Sequence, residues 1–169
     1  MISIIIRSKN EERWINLCLQ AVFDQSYTDF EVIIVDNNST DKTIQKAKQF
    51  DIKKVLTIDK YRPGLAINKG IRVSSGDYIV CLSAHCIPVN RNWLERLISN
   101  FDDSQIAGVY GRQEPMAFTS NTDKRDLLIT FGLDRREQFK DSFFHNANSI
   151  FPRKIWKNFP KVIQVEGRS

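Results

Sequence analysis

An α/β fold with a mainly parallel sheet flanked by helices is predicted by two strand–helix units at the start of the chain and a third apolar strand near its middle. Ile2 to Ile6 is a short apolar run that ends in the polar turn Arg7-Ser8-Lys9-Asn10. Val32 to Val35 is a second run, β-branched throughout, and Asp36 closes it. Continuous apolar runs of this length fit buried parallel strands, and alternation of strands with helices implies crossover connections.

Each element has its own local signal. After the first strand, Asn10 is a candidate N-cap, and Glu11 and Glu12 suit the positive end of a helix. Trp14, Leu17, Cys18, Ala21 and Val22 recur at helical spacing and predict one apolar face. Asp24-Gln25-Ser26 stops that helix. After Asp36, the turn Asn37-Asn38-Ser39-Thr40 predicts a helix near Asp41, capped by Ser39 or Thr40. Lys53 to Ile58 reads as a third strand. Tyr61-Arg62-Pro63-Gly64 then turns into a helix over about Leu65 to Val73. Asp77 to Leu82 is a fourth strand and delivers Ser83-Ala84-His85-Cys86 to its carboxyl end. Trp93, Leu94, Leu97, Ile98 and Phe101 form a helical stripe. Ala107 to Tyr110 reads as a short strand, Lys124 to Phe131 as a helix, and His145 to Phe151 as a last strand. Pro152 is expected to open the helix that carries Trp156.

Composition bounds the class. The chain has 169 residues, 41% hydrophobic and 27% charged, with a net charge of +5. That is enough for one domain with a full core. No apolar run approaches the roughly twenty residues of a membrane span. Met1-Ile2-Ser3 lacks the basic start of a signal peptide, so Ile2 to Ile6 is expected to be a strand. The three cysteines show no paired spacing and suit a reducing compartment. Cys81, His85 and Cys86 lack the four-ligand spacing of structural zinc.

From His145 onward, Arg153, Lys154, Lys157, Lys161 and Arg168 face only Glu166, with Trp156 and Phe159 between them. This text has two readings. It is a patch for anionic headgroups or a diphosphate-linked acceptor, with a peripheral membrane contact, or it is a solvated helix face or an edge normally covered by more chain. No DNA- or RNA-binding motif supports a nucleic-acid partner. The first turn lacks the glycines of a dinucleotide fold, and Gly64 and Gly70 are too far apart for a P-loop.

The segments I-I-I-R-S-K-N-E-E, C-L-Q-A-V-F-D-Q-S-Y-T-D-F-E-V-I-I-V-D-N-N-S-T-D-K-T and G-L-A-I-N-K-G-I-R-V-S-S-G-D-Y-I-V-C-L resemble a family 2 glycosyltransferase. The resemblance extends over essentially the whole chain, and its first eighty or so positions carry the most specific motifs. It implies a single GT-A domain over residues 1–169, expected to be truncated at its C-terminus. It also implies inverting transfer of a sugar from a nucleotide-diphosphate donor to a hydroxyl of a saccharide or lipid-linked acceptor. The expected setting is cell-surface polysaccharide or glycoconjugate synthesis, in the cytoplasm or at the inner face of the membrane.

By the same resemblance, Arg7, Ser8, Asn10, Glu12, Asp36, Asn38, Arg62, Gly64, Asn68, Ser83 and Ala84 are the expected nucleotide-binding set. Asp36 would accept from the base, and the helix after Gly64 would suit phosphate oxygens. The family's Asp-x-Asp, which binds Mn²⁺ or Mg²⁺, is here Ser83-Ala84-His85. His85 is the candidate metal ligand, and neutralisation of the diphosphate by Arg or Lys is the alternative. The family's terminal Glu-Asp is matched by Glu166-Gly167; Glu166 is the candidate general base, with another group, or truncation of the chain, as the alternatives. A non-catalytic nucleotide-sugar-binding member is the other function consistent with these departures.

Overall fold

The computed structural model describes residues 1–60, 62–140 and 143–158. Its strands are β1 (Ile2–Ser8), β2 (Phe30–Asp36), β3 (Lys54–Thr57), β4 (Tyr78–Ser83), β5 (Val109–Tyr110) and β6 (Asn148–Pro152). Its α-helices are α1 (Ile15–Phe23), α2 (Thr43–Ala47), α3 (Pro63–Val73), α4 (Trp93–Ile98), α5 (Asn121–Phe131) and α6 (Arg153–Asn158). They surround one sheet of order β3-β2-β1-β4-β6-β5. The first four strands are parallel, and β6 and β5 are antiparallel additions. The mainly parallel α/β architecture expected from the sequence is the one observed.

Side-chain alternation along the strands divides the core into two layers. Ile4, Ile6, Val32, Ile34, Val80 and Leu82 face α1 and α4. Ile5, Ile33, Val35, Ile79 and Cys81 face the other way, onto Ala66, Ile67 and Ile71 of α3. Gly70 lets α3 lie close to the sheet. A Cβ there would stand 2.5 Å from Ile5 Cγ2 and 3.2 Å from Val35 Cγ2. Burial of both faces explains why the central residues of β1, β2 and β4, Ile4 to Ile6, Val32 to Val35 and Ile79 to Leu82, are unbroken apolar runs.

Several boundaries differ from the sequence reading. α1 starts at Ile15 and buries Ile15, Cys18, Leu19 and Val22 against the sheet, and Leu17 is exposed. Trp14 instead stacks on Phe118 at 5.6 Å between ring centroids, with the Arg13 guanidinium 4.5 Å from the Trp14 ring. Asn10 is no N-cap: its φ is 52°, and its backbone N–H donates to Ser39 Oγ at 2.8 Å. Ser39 and Thr40 do not cap α2 either. Asp41 accepts there from the Thr43 N–H at 2.9 Å. Ser120 begins α5 by accepting from the Asp123 N–H at 3.1 Å. Pro152 ends β6, and α6 opens one residue later. The Trp93 to Phe101 stripe packs on the core as expected, through buried Leu94 and Leu97.

Candidate active site

Parallel strands bring their carboxyl ends to one edge, and register fixes which residues meet there. Ser8 pairs with Asp36, and Arg7 lies between Val35 and Ser83. Asp36 is only 3% exposed. Its Oδ1 accepts from Ser8 Oγ at 2.7 Å and Ser39 Oγ at 2.6 Å, and its Oδ2 accepts from the Ser39 N–H at 2.8 Å. A carboxylate has about four acceptor positions, so one is left. Beside it, Asn37 is buried, and its Oδ1 has no hydrogen-bond partner among the described residues. Asn38 adopts φ 51° and donates Nδ2 to Asp59 Oδ1 at 3.0 Å.

The turns after β1 and β2 are joined in both directions. Thr40 N–H donates to Asn10 Oδ1 at 2.9 Å, and Glu11 N–H donates to Thr43 Oγ1 at 2.7 Å. Glu12 N–H donates to Asp41 Oδ2, and Glu12 Oε2 accepts from the Lys42 N–H, both at 3.0 Å. The Asn10 and Glu12 side chains therefore hold the neighbouring turn.

At the end of β4, Ser83 Oγ accepts from Arg7 Nη2 at 3.1 Å, and the same nitrogen donates to the Asn146 carbonyl at 3.0 Å. Ala84 is fully buried, and its N–H donates to the Arg7 carbonyl at 3.0 Å. His85 is 56% exposed, and its Nδ1 lies 2.8 Å from Glu11 Oε1. Burial pushes the thiol of the next residue, Cys86, up to about 11, so it is a neutral packing group. Sequence reading missed the Glu11–His85 pair, because only adjacency of β1 and β4 joins residues 74 positions apart.

Glu11 and His85 also bear on the divalent cation that the family's fold implies. Among the described residues, no group of three or more His, Cys, Asp or Glu side chains stands together. A hard cation at a phosphate site is held by as few as one or two protein carboxylates, the rest of its shell coming from substrate and water. The Glu11 carboxylate fits that reduced set, and the His85 imidazole beside it would suit Mn²⁺ better than Mg²⁺.

The remaining expected residues are spread apart. Arg62 is exposed just before α3, and Gly64 is buried in its first turn. Asn68 is 4% exposed and accepts from Trp156 Nε1 at 2.6 Å, so this contact ties α3 to α6. Glu166 lies outside the described residues.

On the β6 side of β4, the Ser83 N–H donates to the Ala147 carbonyl at 3.2 Å. His145 sits there half-buried. Its Nδ1 lies 2.8 Å from Gln113 Nε2 and accepts from the Ala147 N–H at 3.3 Å. Burial, then the Arg7 charge, holds the His145 imidazole below its usual pKa. A separate open cleft of about 1340 Å³ beside β5 is lined by Tyr110, Phe131, Phe144 and Trp156. Asp36, Asn37, Glu11 and His85 are not among its walls.

Sheet order, flanking helices and a polar carboxyl edge define a GT-A type α/β domain. The chain belongs to glycosyl transferase family 2, whose description matches residues 3–159. It is 30% identical over 162 residues to the dolichyl N-acetyl-alpha-D-glucosaminyl phosphate 3-beta-D-2,3-diacetamido-2,3-dideoxy-beta-D-glucuronosyltransferase of Methanococcus voltae, covering 86% of this chain and 50% of that protein. It is 37% identical over 120 residues to glycosyltransferase AglE of Haloferax volcanii, covering 67% of this chain and 39% of that one. The chain thus spans half or less of these two relatives. The solved structure of mannosyltransferase PcManGT from Pyrobaculum calidifontis, in complex with GDP-Man and Mn²⁺, superposes with a TM-score of 0.73. Identity there is 20%, and the match covers 94% of this chain and 46% of the other. No helix among the described residues is long and apolar enough to cross a membrane.

Proposed function

We propose that this domain binds a nucleotide-diphosphate sugar over the carboxyl edge of its sheet and passes the sugar, with inversion, to a hydroxyl of a saccharide or lipid-linked acceptor. The observation that carries the reading is the edge itself. It presents the buried acceptor Asn37 Oδ1, the remaining acceptor position of Asp36, and the Glu11–His85 pair on the turns that follow the adjacent strands β1 and β4. The dolichyl phosphate in the name of the Methanococcus relative supports a lipid-linked acceptor. With such an acceptor the reaction would belong to glycoconjugate synthesis at a membrane surface, and we place it at the inner face.

In this reading the base lies over β2, where Asp36 and Asn37 take its N–H donors. The turn from Arg7 to Glu12 contacts nucleoside and ribose, with Ser8, Asn10 and Glu12 setting its shape and Asn38 closing the far side. The α3 N-terminus, with Arg62 and Gly64, faces phosphate oxygens, and Asn68 supports it from behind. Ser83 and Ala84 form the floor under the diphosphate, and Arg7 lends it positive charge. Glu11 and His85 would hold Mn²⁺ or Mg²⁺, which when bound offsets the charge of the departing nucleoside diphosphate. Glu166 is the proposed base for the acceptor hydroxyl, a role that contributes about 10²–10⁴-fold.

Calorimetric titration of the chain with UDP-GlcNAc and GDP-Man, with Mn²⁺ and with EDTA, tests the donor site. Binding of at least one, with displacement by the matching free diphosphate, is expected. Absence of binding by a folded chain to UDP- and GDP-linked sugars alike would remove the basis of the reading.

A further inference from the structure

We propose that His145 is a specificity residue that donates its Nε2–H to a hydroxyl oxygen of the transferred sugar, with Asn146 Oδ1 beside it as the matching acceptor. The proposal rests on the donor-binding reading above and adds to it the element that meets the sugar.

Three observations carry it. The first is the tautomer. A backbone N–H can only donate, so the Ala147 N–H at 3.3 Å makes His145 Nδ1 an acceptor. Gln113 Nε2, at 2.8 Å, meets the same nitrogen. A neutral imidazole with Nδ1 as acceptor carries its proton on Nε2, and no described residue takes that proton. Burial and the Arg7 charge both favour the neutral ring. The ring is also fixed sideways, with Phe131 at 5.1 Å and Phe143 at 6.1 Å between centroids.

The second is a complementary vacancy on the next residue. Asn146 Oδ1 is buried and has no partner among the described residues. Buried acceptors are rarely left unpaired. A donor and an acceptor on consecutive residues suit a hydroxyl, which accepts one hydrogen bond and gives another.

The third is place. The strand order β2-β1-β4-β6 runs from Asp36 and Asn37 to His145. The Asn146 carbonyl touches Arg7, and the Ala147 carbonyl touches the Ser83 N–H, so this turn borders the carboxyl end of β4. Three steps of about 4.8 Å separate β2 from β6. That is roughly 14 Å, a span suited to a nucleotide lying across the edge with its sugar at the β6 end.

Two substitutions separate contact from scaffolding. His145→Asn keeps a side-chain acceptor near Nδ1 and loses the Nε2 donor. His145→Gln keeps a donor near Nε2 and loses the inner acceptor. The readout is the ratio of affinities for UDP-GlcNAc over UDP and for GDP-Man over GDP, in whichever pair the wild type binds. His145→Asn should lower that ratio about five- to tenfold, the size of one neutral hydrogen bond, and His145→Gln should hold it within about twofold. The reverse order, or equal ratios, would overturn the proposal. A second measurement needs no variant. The chain has two histidines, so ¹⁵N-edited spectra resolve them. His145 should show the Nε2–H tautomer, and its Nε2 signal should move with the sugar nucleotide and stay still with the free diphosphate. The Nδ1–H tautomer, or equal movement with both, would refute it. If the wild type binds neither free diphosphate, the donor-binding reading fails. If it binds the diphosphate but its ratio and spectrum ignore the sugar, only the His145 assignment fails.

Discussion

Glu11 Oε1 and His85 Nδ1 stand 2.8 Å apart, joining the turn after β1 to the turn after β4 across 74 positions of chain. Glu11 is mostly shielded, at 19% side-chain exposure, whereas His85 is 56% exposed. The pair therefore has a fixed inner member and an outer member open to ligand.

If this pair holds the cation, removing either member should weaken Mn²⁺ in the presence of UDP or GDP. His85→Ala and Glu11→Gln should each cost at least the roughly 10–100-fold associated with losing a supporting partner of a metal ligand. Calorimetry on the nucleotide-loaded chain measures this. Unchanged Mn²⁺ affinity in both folded variants would place the cation elsewhere.

Asp36 and Asn37 should separate stability from binding. Asp36→Ala strands the donors of Ser8 and Ser39, so urea unfolding should show a loss of about 2–3 kcal/mol, with weaker nucleotide binding. Asn37→Ala removes only an unpaired acceptor. It should lower nucleotide affinity and cost under about 1 kcal/mol in stability. A large stability loss in Asn37→Ala would show that its carbonyl is already satisfied.

Gly70→Ala should overpack the contact between α3 and the sheet. The added methyl meets a fully buried Ile5, and relief requires α3 to shift. A loss of about 1–3 kcal/mol is expected by thermal or urea unfolding. A neutral result would mean that the helix moves freely over β1.

His145 predicts how stability changes with acidity. Burial first, and the Arg7 charge second, lower its pKa in the folded chain. A histidine shifted in that direction binds its proton more readily when unfolded. Its contribution is therefore complete above the unfolded value of about 6.5 and is lost as pH falls below it. Wild type and His145→Gln should converge in unfolding free energy as pH drops from 7.5 towards 5. A gap that widened on acidification would reverse the assigned shift.

The β-branched runs of β1, β2 and β4 made the parallel sheet legible, because burial on both faces leaves a continuous apolar signature. The edge residues Arg7, Ser8, Asp36 and Ser83 were legible for the same reason, as the polar residues closing those runs. The phase of α1 was not. Apolar Trp14 and Leu17 satisfied the helical spacing, but the face that packs on the sheet is Ile15, Cys18, Leu19 and Val22, which leaves Leu17 outside, and Trp14, just before the helix, stacks on Phe118. Nor were the caps, because Asn10 and Thr40 bond across to each other's turn, and Ser39 divides its bonds between Asn10 and the strand-end Asp36. The partners Glu11–His85 and Gln113–His145 depend on strand order, which no local pattern encodes.

The paired turns after β1 and β2 also govern time. Amide hydrogens of Asn10, Glu11, Glu12, Thr40 and Lys42 each donate to a group on the opposite turn. Neither turn can loosen alone without stranding donors on the other. The two should open in one cooperative event, with a shared hydrogen-exchange rate for these five amides. On the proposed reading, a nucleotide arriving at this rim would meet a frame that is already ordered, so little conformational entropy would be lost on binding and association would need no folding step.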